Sequence, residues 1–367
     1  MTRTIGVEEE LLLVDPDSGV PRAVASAALR SAEDASDEGA GVEGELMLQQ
    51  LETGTSPCSR VGDLLDELRD WRARADEHAR AAGARIAALA TSPVEVVPRT
   101  TPEPRYRAIA EEFGITQAEQ LVCGMHVHVS TASEDEAVGA LDRVRPWLPV
   151  LTALSVNSPF WQGQDTGYAS FRSQLWRRWP SAGSPGPFGS PAAYHSLVEE
   201  LVATGTIVDD GMAYFDVRPG RDYPTLELRV FDVCPRVEVA ALLAVLSRAL
   251  VERASRDLET GVPAPELSAL TVSLMAFRAG RSGLAGELVD PVTQVPRPAA
   301  DVVASLVEHV REPLAEAGDL ELVHEVLGSL LRDGTAADRQ RRIAGDTLDL
   351  PAVVRDTVDV TLATVSS

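Results

Sequence analysis

The stretch Gly6–Pro16, GVEEELLLVDP, sets three carboxylates at the head of an apolar run. Three adjacent like charges repel, and glutamate is a poor strand former, so folding alone gives little reason for Glu8, Glu9 and Glu10 to precede Leu11, Leu12 and Leu13. Read as a strand, in which residues two apart point the same way, the segment puts Glu8 and Glu10 on one face. Ile5, Val7, Leu11 and Leu13 line the other, with Glu9 among them. Such a strand calls for a sheet with a buried back and positive charge in front of it.

The same alternation recurs further along. MHVHVS places His126 and His128 together with Val127 and Val129 behind them, and TLELRVFD sets Glu227 and Arg229 against Leu226, Leu228 and Val230. Asp216 and Arg218 pair likewise in FDVRP. Between these segments, helical spacing predicts helices from Val61 to Ala82 with a stop at Gly83, and from Pro104 to Phe113 before Gly114. ELMLQQLETGT, 45–55, reads as a strand or short helix, Arg85 to Ala90 as a buried strand. Ser133 with Glu136 forms a capping-box pattern, and Pro191 after Ser190 opens a helix that Gly205 ends. The Gly-, Ser- and Pro-rich segment from Gln162 to Gly189, with Trp176 and Trp179 interleaved, is a long loop of the kind that serves function. Beyond Arg236 the pattern is almost wholly helical. Strands clustered in the first two thirds, without regular strand–helix alternation, predict the α+β class with an antiparallel sheet. The expectation is one domain over 1–367, with a helical C-terminal layer from about 236.

Composition excludes several classes of function. A net charge of -23, from 33 basic and 56 acidic residues, repels nucleic acid and anionic lipid. Every basic residue is arginine, and the chain has no lysine. That removes the P-loop, the pyridoxal phosphate Schiff base and the protein kinase strand lysine. Cys58, Cys123 and Cys234 are far apart with no CxxC pair, which argues against a disulfide framework or a structural zinc site and for a reducing cytoplasm. No signal peptide is indicated, and the apolar segment from Val237 to Val251 carries Glu238 and Arg248, so it reads as a buried helix rather than a membrane span.

Each motif has a bland reading: a solvated strand edge for the glutamates, structural histidines, a salt-bridge ladder for the acid and arginine pairs. Surface ion pairs contribute only about 0–1 kcal/mol, a weak motive for so many. A sheet that gathers these side chains on one face would instead make a site. Its carboxylates imply a hard divalent cation, magnesium first and manganese as a substitute, and arginines beside that cation suit a triphosphate. A metal-dependent hydrolase using His126, His128 and nearby carboxylates is the competing reading, although it leaves Arg218 and Arg229 without a task.

GVEEELLLVDP, ELMLQQLETGT, CGMHVHVS, FDVRP and TLELRVFDVCP, in that order, closely resemble the type 2 glutamate-cysteine ligase family in its carboxylate-amine ligase branch. The resemblance implies a glutamine synthetase-like catalytic domain, a curved, mainly antiparallel sheet flanked by helices. It implies an ATP-dependent ligase that phosphorylates a carboxylate, classically the side chain of glutamate, and lets an amine, classically that of cysteine, attack the acyl phosphate. Carried over by position, Glu8, Glu10, Glu52, Glu227 and His126 are expected at the metal, with Glu45 a companion acid. Arg229 is expected at the transferred phosphate, Asp216 and Arg218 at nucleotide or substrate, and Arg172 and His128 at substrate. Partners are then small molecules, neither nucleic acid nor membrane, in a protein that could also self-associate.

Overall fold

The computed structural model describes residues 2–34 and 41–363. Seven strands form the main sheet: β1 (Ile5–Val14), β2 (Val42–Gly44), β3 (Gln50–Gly54), β4 (Arg85–Ala87), β5 (Gly124–Ser130), β6 (Val217–Pro219) and β7 (Thr225–Asp232). The order across it is β2-β3-β1-β5-β7-β6, with β4 also on β1, and every pairing is antiparallel. The central strand is therefore the one that opens on the three glutamates. One edge of β1 pairs with β3 over Glu8–Leu12. The other forks, Ile5–Glu9 pairing with β5 and Leu12–Val14 with β4.

The apolar face behaves as the alternation predicts. Ile5, Val7, Val127, Val129, Leu226 and Leu228 are buried in one core cluster, each full burial of a Val, Ile or Leu side chain being worth about 1.5–3 kcal/mol. Against that face pack helices α1 (Val61–Ala81), α2 (Glu134–Val144), α3 (Leu148–Ser155) and α4 (Val237–Glu259). Helix α4 is buried nearly all round from Val237 to Val251, which accounts for its hydrophobic run without any membrane. Among the described residues no helix is long and apolar enough to cross a membrane.

Several local expectations change in detail. The 45–55 segment is strand only over Gln50–Gly54, and Arg85–Ala87 is shorter than its apolar run. Ser133 accepts from the Glu136 N–H at 3.2 Å, but the Glu136 carboxylate bonds Arg3 and the Ala132 N–H, so only half of a capping box forms. The C-terminal third includes a small hairpin, Glu287–Val289 with Pro296–Pro298, among its helices. In the register of β5 with β7, Met125 faces Phe231 whereas Val127 faces Leu228, so β7 carries one extra residue across Arg229 and Val230. Strict alternation would turn Phe231 outward beside Arg229; the bulge returns it to the core.

Candidate active site

Register places the polar face. Across neighbouring strands Glu8 lies opposite His126, Glu10 opposite Glu52, and Glu227 opposite both His128 and Arg218. Neighbouring strands run about 4.8 Å apart, so these side chains are forced into mutual contact. They line a cavity of about 420 Å3 together with Glu45 and Arg229.

The contacts form a continuous chain. His126 Nδ1 is 3.0 Å from Glu8 Oε2, and His128 Nε2 is 3.2 Å from Glu8 Oε1. His126 Nε2 is 3.8 Å from Glu10 Oε1, while the Gly124 N–H donates to Glu10 Oε2 at 2.6 Å. Glu227 accepts from Arg218 Nε at 2.6 Å and from Arg229 Nη1. Three sets of side chains bring ligand atoms within 4.8 Å of one another: Glu8, Glu52 and His126; Glu8, His128 and Glu227; and Glu10, Glu45 and Glu52.

Electrostatics divides the acids into two groups. Burial resists ionisation of Glu8, but the hydrogen bonds and charges of His126 and His128 outweigh it and hold the carboxyl well below its usual range. Burial likewise opposes Glu227, and Arg229 with Arg218 overcomes it, bringing that carboxyl to about 2. At the other end burial, then the charge of Glu45, pushes Glu10 up to about 7. Burial and the charges of Glu45, Glu8 and Glu10 drive Glu52 well above the usual range. Burial, reinforced by Arg229, lowers His126 to about 4, leaving a neutral imidazole at neutral pH.

A divalent cation fits these residues. Buried His126 Nε2 has no hydrogen-bond partner, and burial together with neighbouring carboxylates disfavours the charge on Glu10 and Glu52, which a bound cation would relieve. The donors are mainly carboxylate oxygens with one or two imidazoles, a set suited to magnesium or manganese.

Two expected residues lie elsewhere. Arg172 is not on a loose loop: it begins a short helix, Arg172–Trp176, and is only 2% exposed, packed against Gly124 at the start of β5. Asp216 is buried beside Arg177, whose Nη2 is 3.8 Å from its Oδ2. Neither lines the cavity, because Trp176 and Arg229 stand between them and it. Glu9, on the apolar face, is also outside the cavity.

Other wall residues carry no motif in the strands. Helix Pro104–Phe113 supplies Arg105, Tyr106 and Ile109, with Arg105 held by Asp209 at 2.7 and 3.0 Å. Trp176, Trp179 and Tyr214 close an aromatic side, and Gln120 joins them with both amide atoms unbonded. The interleaved tryptophans of the 162–189 segment were the available signal for that wall; the rest depends on how loops cross the sheet.

The family to which the sequence belongs is one of ATP-dependent ligases that form carbon–nitrogen bonds. Residues 4–351 match the model of Glutamate-cysteine ligase family 2, and the chain belongs to that family. It is 49% identical over 356 residues to a presumptive glutamate–cysteine ligase 2-1 of Streptomyces avermitilis, covering 97% of each chain. It is 50% identical over 352 residues to a presumptive glutamate–cysteine ligase 2 of Streptomyces coelicolor, covering 96% of this chain and 97% of that one. Among solved structures, the glutamate–cysteine ligase of Francisella tularensis in complex with AMP superposes with a TM-score of 0.68 at 13% identity, over 100% of this chain and 90% of that one. The bifunctional glutathione synthetase of Pasteurella multocida gives 0.70 at 16% identity over 98% of this chain, which spans about half (52%) of that enzyme's length. These likenesses agree with the glutamine synthetase-like fold expected from the motifs.

Proposed function

We propose that this ligase joins the side-chain carboxylate of glutamate, or of a closely similar acid, to an amine through an acyl phosphate, with cysteine the first amine to test. The observation that carries the reading is the convergence of Glu8, Glu10, Glu52, His126 and Glu227 with Arg218 and Arg229 in one cavity. The carboxylate oxygen attacks the terminal phosphorus of ATP and ADP leaves. The amine nitrogen then attacks the acyl carbon, expels phosphate and gives up a proton. Such transfers need positioning and charge neutralisation more than covalent help from the protein.

Glu8, Glu10, Glu52, His126 and Glu227 would hold magnesium or manganese, which when bound neutralises phosphate charge and orients the triphosphate. Glu227 does a second task by holding Arg218 and Arg229 side by side. Arg229, pinned by Glu227 and set against the Trp176 ring at 5.9 Å, is a preorganised cation for the transferred group. Neutral His126 keeps a lone pair available instead of adding a competing charge. Localisation in the cytoplasm accords with three buried free cysteines.

The test is incubation with ATP, magnesium, glutamate and a panel of amines, with phosphate release and mass-spectrometric detection of a new amide. Hydroxylamine should trap the activated acid as a hydroxamate. ATP-independent cleavage of a substrate would favour the hydrolase reading instead.

A further inference from the structure

Arg172 presents a problem that the ligase chemistry does not solve. It is among the largest fully buried side chains. Among the described residues no carboxylate oxygen lies within salt-bridge distance of it, and its Nε has no hydrogen-bond partner. The buried carboxyls of Asp232, Asp216 and Glu10 feel its charge from beyond ion-pair distance, so a costly buried guanidinium is held here by longer-range attraction rather than by a direct partner.

Its position is recorded in Gly124. A Cβ built on Gly124 would lie 2.1 Å from Arg172 Nη2, 2.8 Å from Cζ and 3.0 Å from Nε. Gly124 is not among the glycines with positive φ, so its backbone does not demand glycine. The guanidinium does. The same Gly124 N–H bonds Glu10 Oε2 at 2.6 Å, leaving Oε1 turned toward His126 and the cavity. Glu10 sits where the edge of β1 forks, paired with neither β5 nor β4 on that side. The first residue of β5 therefore supplies the hydrogen bond that fixes its carboxylate. The other end of the guanidinium faces the Trp176 ring at 5.6 Å, and Trp176 lines the cavity beside Arg229.

We propose that Gly124 and Arg172 act as one unit that positions Glu10: the glycine gives its N–H to one carboxylate oxygen and its empty side to a buried arginine, whose charge supports the carboxylate from beside the cavity, on the same face of the sheet. Arg172 is thus a positioning residue rather than a substrate clamp. The inference rests on Glu10 being a ligand of the divalent cation. Orienting groups behind a ligand typically change metal affinity by about 10–100-fold when removed.

The experiment is titration of the whole chain with Mn2+ alone, without ATP or amino acids, following free Mn2+ by electron paramagnetic resonance. Circular dichroism and thermal unfolding identify the folded variants. Arg172→Met should weaken Mn2+ binding roughly 10-fold or more, and Arg172→Lys should recover much of it. Gly124→Ala should weaken binding as well, and Gly124→Ala/Arg172→Met should bind no worse than Arg172→Met, because the clash disappears with the guanidinium. Folded Arg172→Met with unchanged affinity, or a double variant whose losses simply add, overturns the positioning unit. Should Arg172→Met not fold, Arg172→Lys against Gly124→Ala decides the matter, and wild-type affinity in both overturns the proposal. A wild type that binds no Mn2+ overturns the ligand assignment itself, a result separate from any difference between variants.

Discussion

Glu9 and Arg72 meet end on behind the sheet, with Arg72 Nε 2.8 Å from Glu9 Oε2 and Nη2 2.6 Å from Oε1. This pair accounts for the third carboxylate of the opening strand. Two of the three acids face the cavity, and the one between them neutralises an arginine of α1 that also bonds the carbonyls of Cys234 and Pro235 at 2.6 Å. Both side chains are essentially inaccessible to water.

Removing either partner strands a buried charge. Glu9→Gln or Arg72→Met should cost on the order of 3–5 kcal/mol of stability in urea unfolding, whereas Glu9→Leu combined with Arg72→Met should recover much of that loss. Single variants as stable as wild type would show the pair to be dispensable.

Arg229 is expected to act on rate rather than on folding. Arg229→Met should lower turnover by roughly 10²–10³-fold, the usual loss when one preorganised charge-stabilising donor is removed. Glu227→Gln should abolish measurable turnover, because it frees both arginines and deletes a cation ligand. Steady-state phosphate release measures each, and a rate within a few-fold of wild type would place the chemistry elsewhere.

Glu10 gives stability a distinct pH dependence. Between the ordinary glutamate value of 4.5 and about 7, the folded chain keeps a proton that the unfolded chain has released. The contribution of Glu10 is therefore full below pH 4.5 and is lost as pH rises through 7. With chelator present, the stability of wild type relative to Glu10→Gln should fall by on the order of 1–3 kcal/mol across that window. A difference that stays flat with pH would contradict the raised carboxyl.

Cation binding should reverse that loss. Magnesium or manganese at one hundred times its dissociation constant should stabilise the protein by about 2.7 kcal/mol over the chelated form. Glu52→Gln should need more metal to reach the same shift in thermal unfolding. No shift with either cation in the wild type would argue against the proposed ligands.

The two histidines should separate in ring nuclear magnetic resonance. His126, lowered to about 4, stays neutral through the range where an ordinary histidine titrates. His128 feels burial pulling it down, but its hydrogen bond and attraction to Glu8 prevail, so it stays protonated above the ordinary value of 6.5. Matching titrations near 6.5 for both would show that Glu8 and Arg229 are not disposed as described.

Strand alternation made Glu8, Glu10, His126, His128, Glu227, Arg218 and Arg229 legible as one face, since a period of two depends only on local backbone geometry. The bulge at Arg229 and Val230 was not legible, because it is a property of two strands together. Nor was the burial of Arg172, which depends on the missing side chain of a glycine 48 positions earlier in the chain. The aromatic wall of Trp176, Trp179 and Tyr214 comes from segments that cross the sheet with no periodic pattern.

Arg72 has one more bond: its Nη1 reaches the carbonyl of Thr361 at 3.4 Å, and the Thr361 hydroxyl accepts from the Ala88 N–H at 3.0 Å. Thr361 ends the helix Leu350–Thr361, so that helix is tied through Arg72 and Glu9 to the strand that bears Glu8 and Glu10. The hold on the strand that lines the cavity therefore reaches it from outside, through a helix that contributes no residue to the cavity wall.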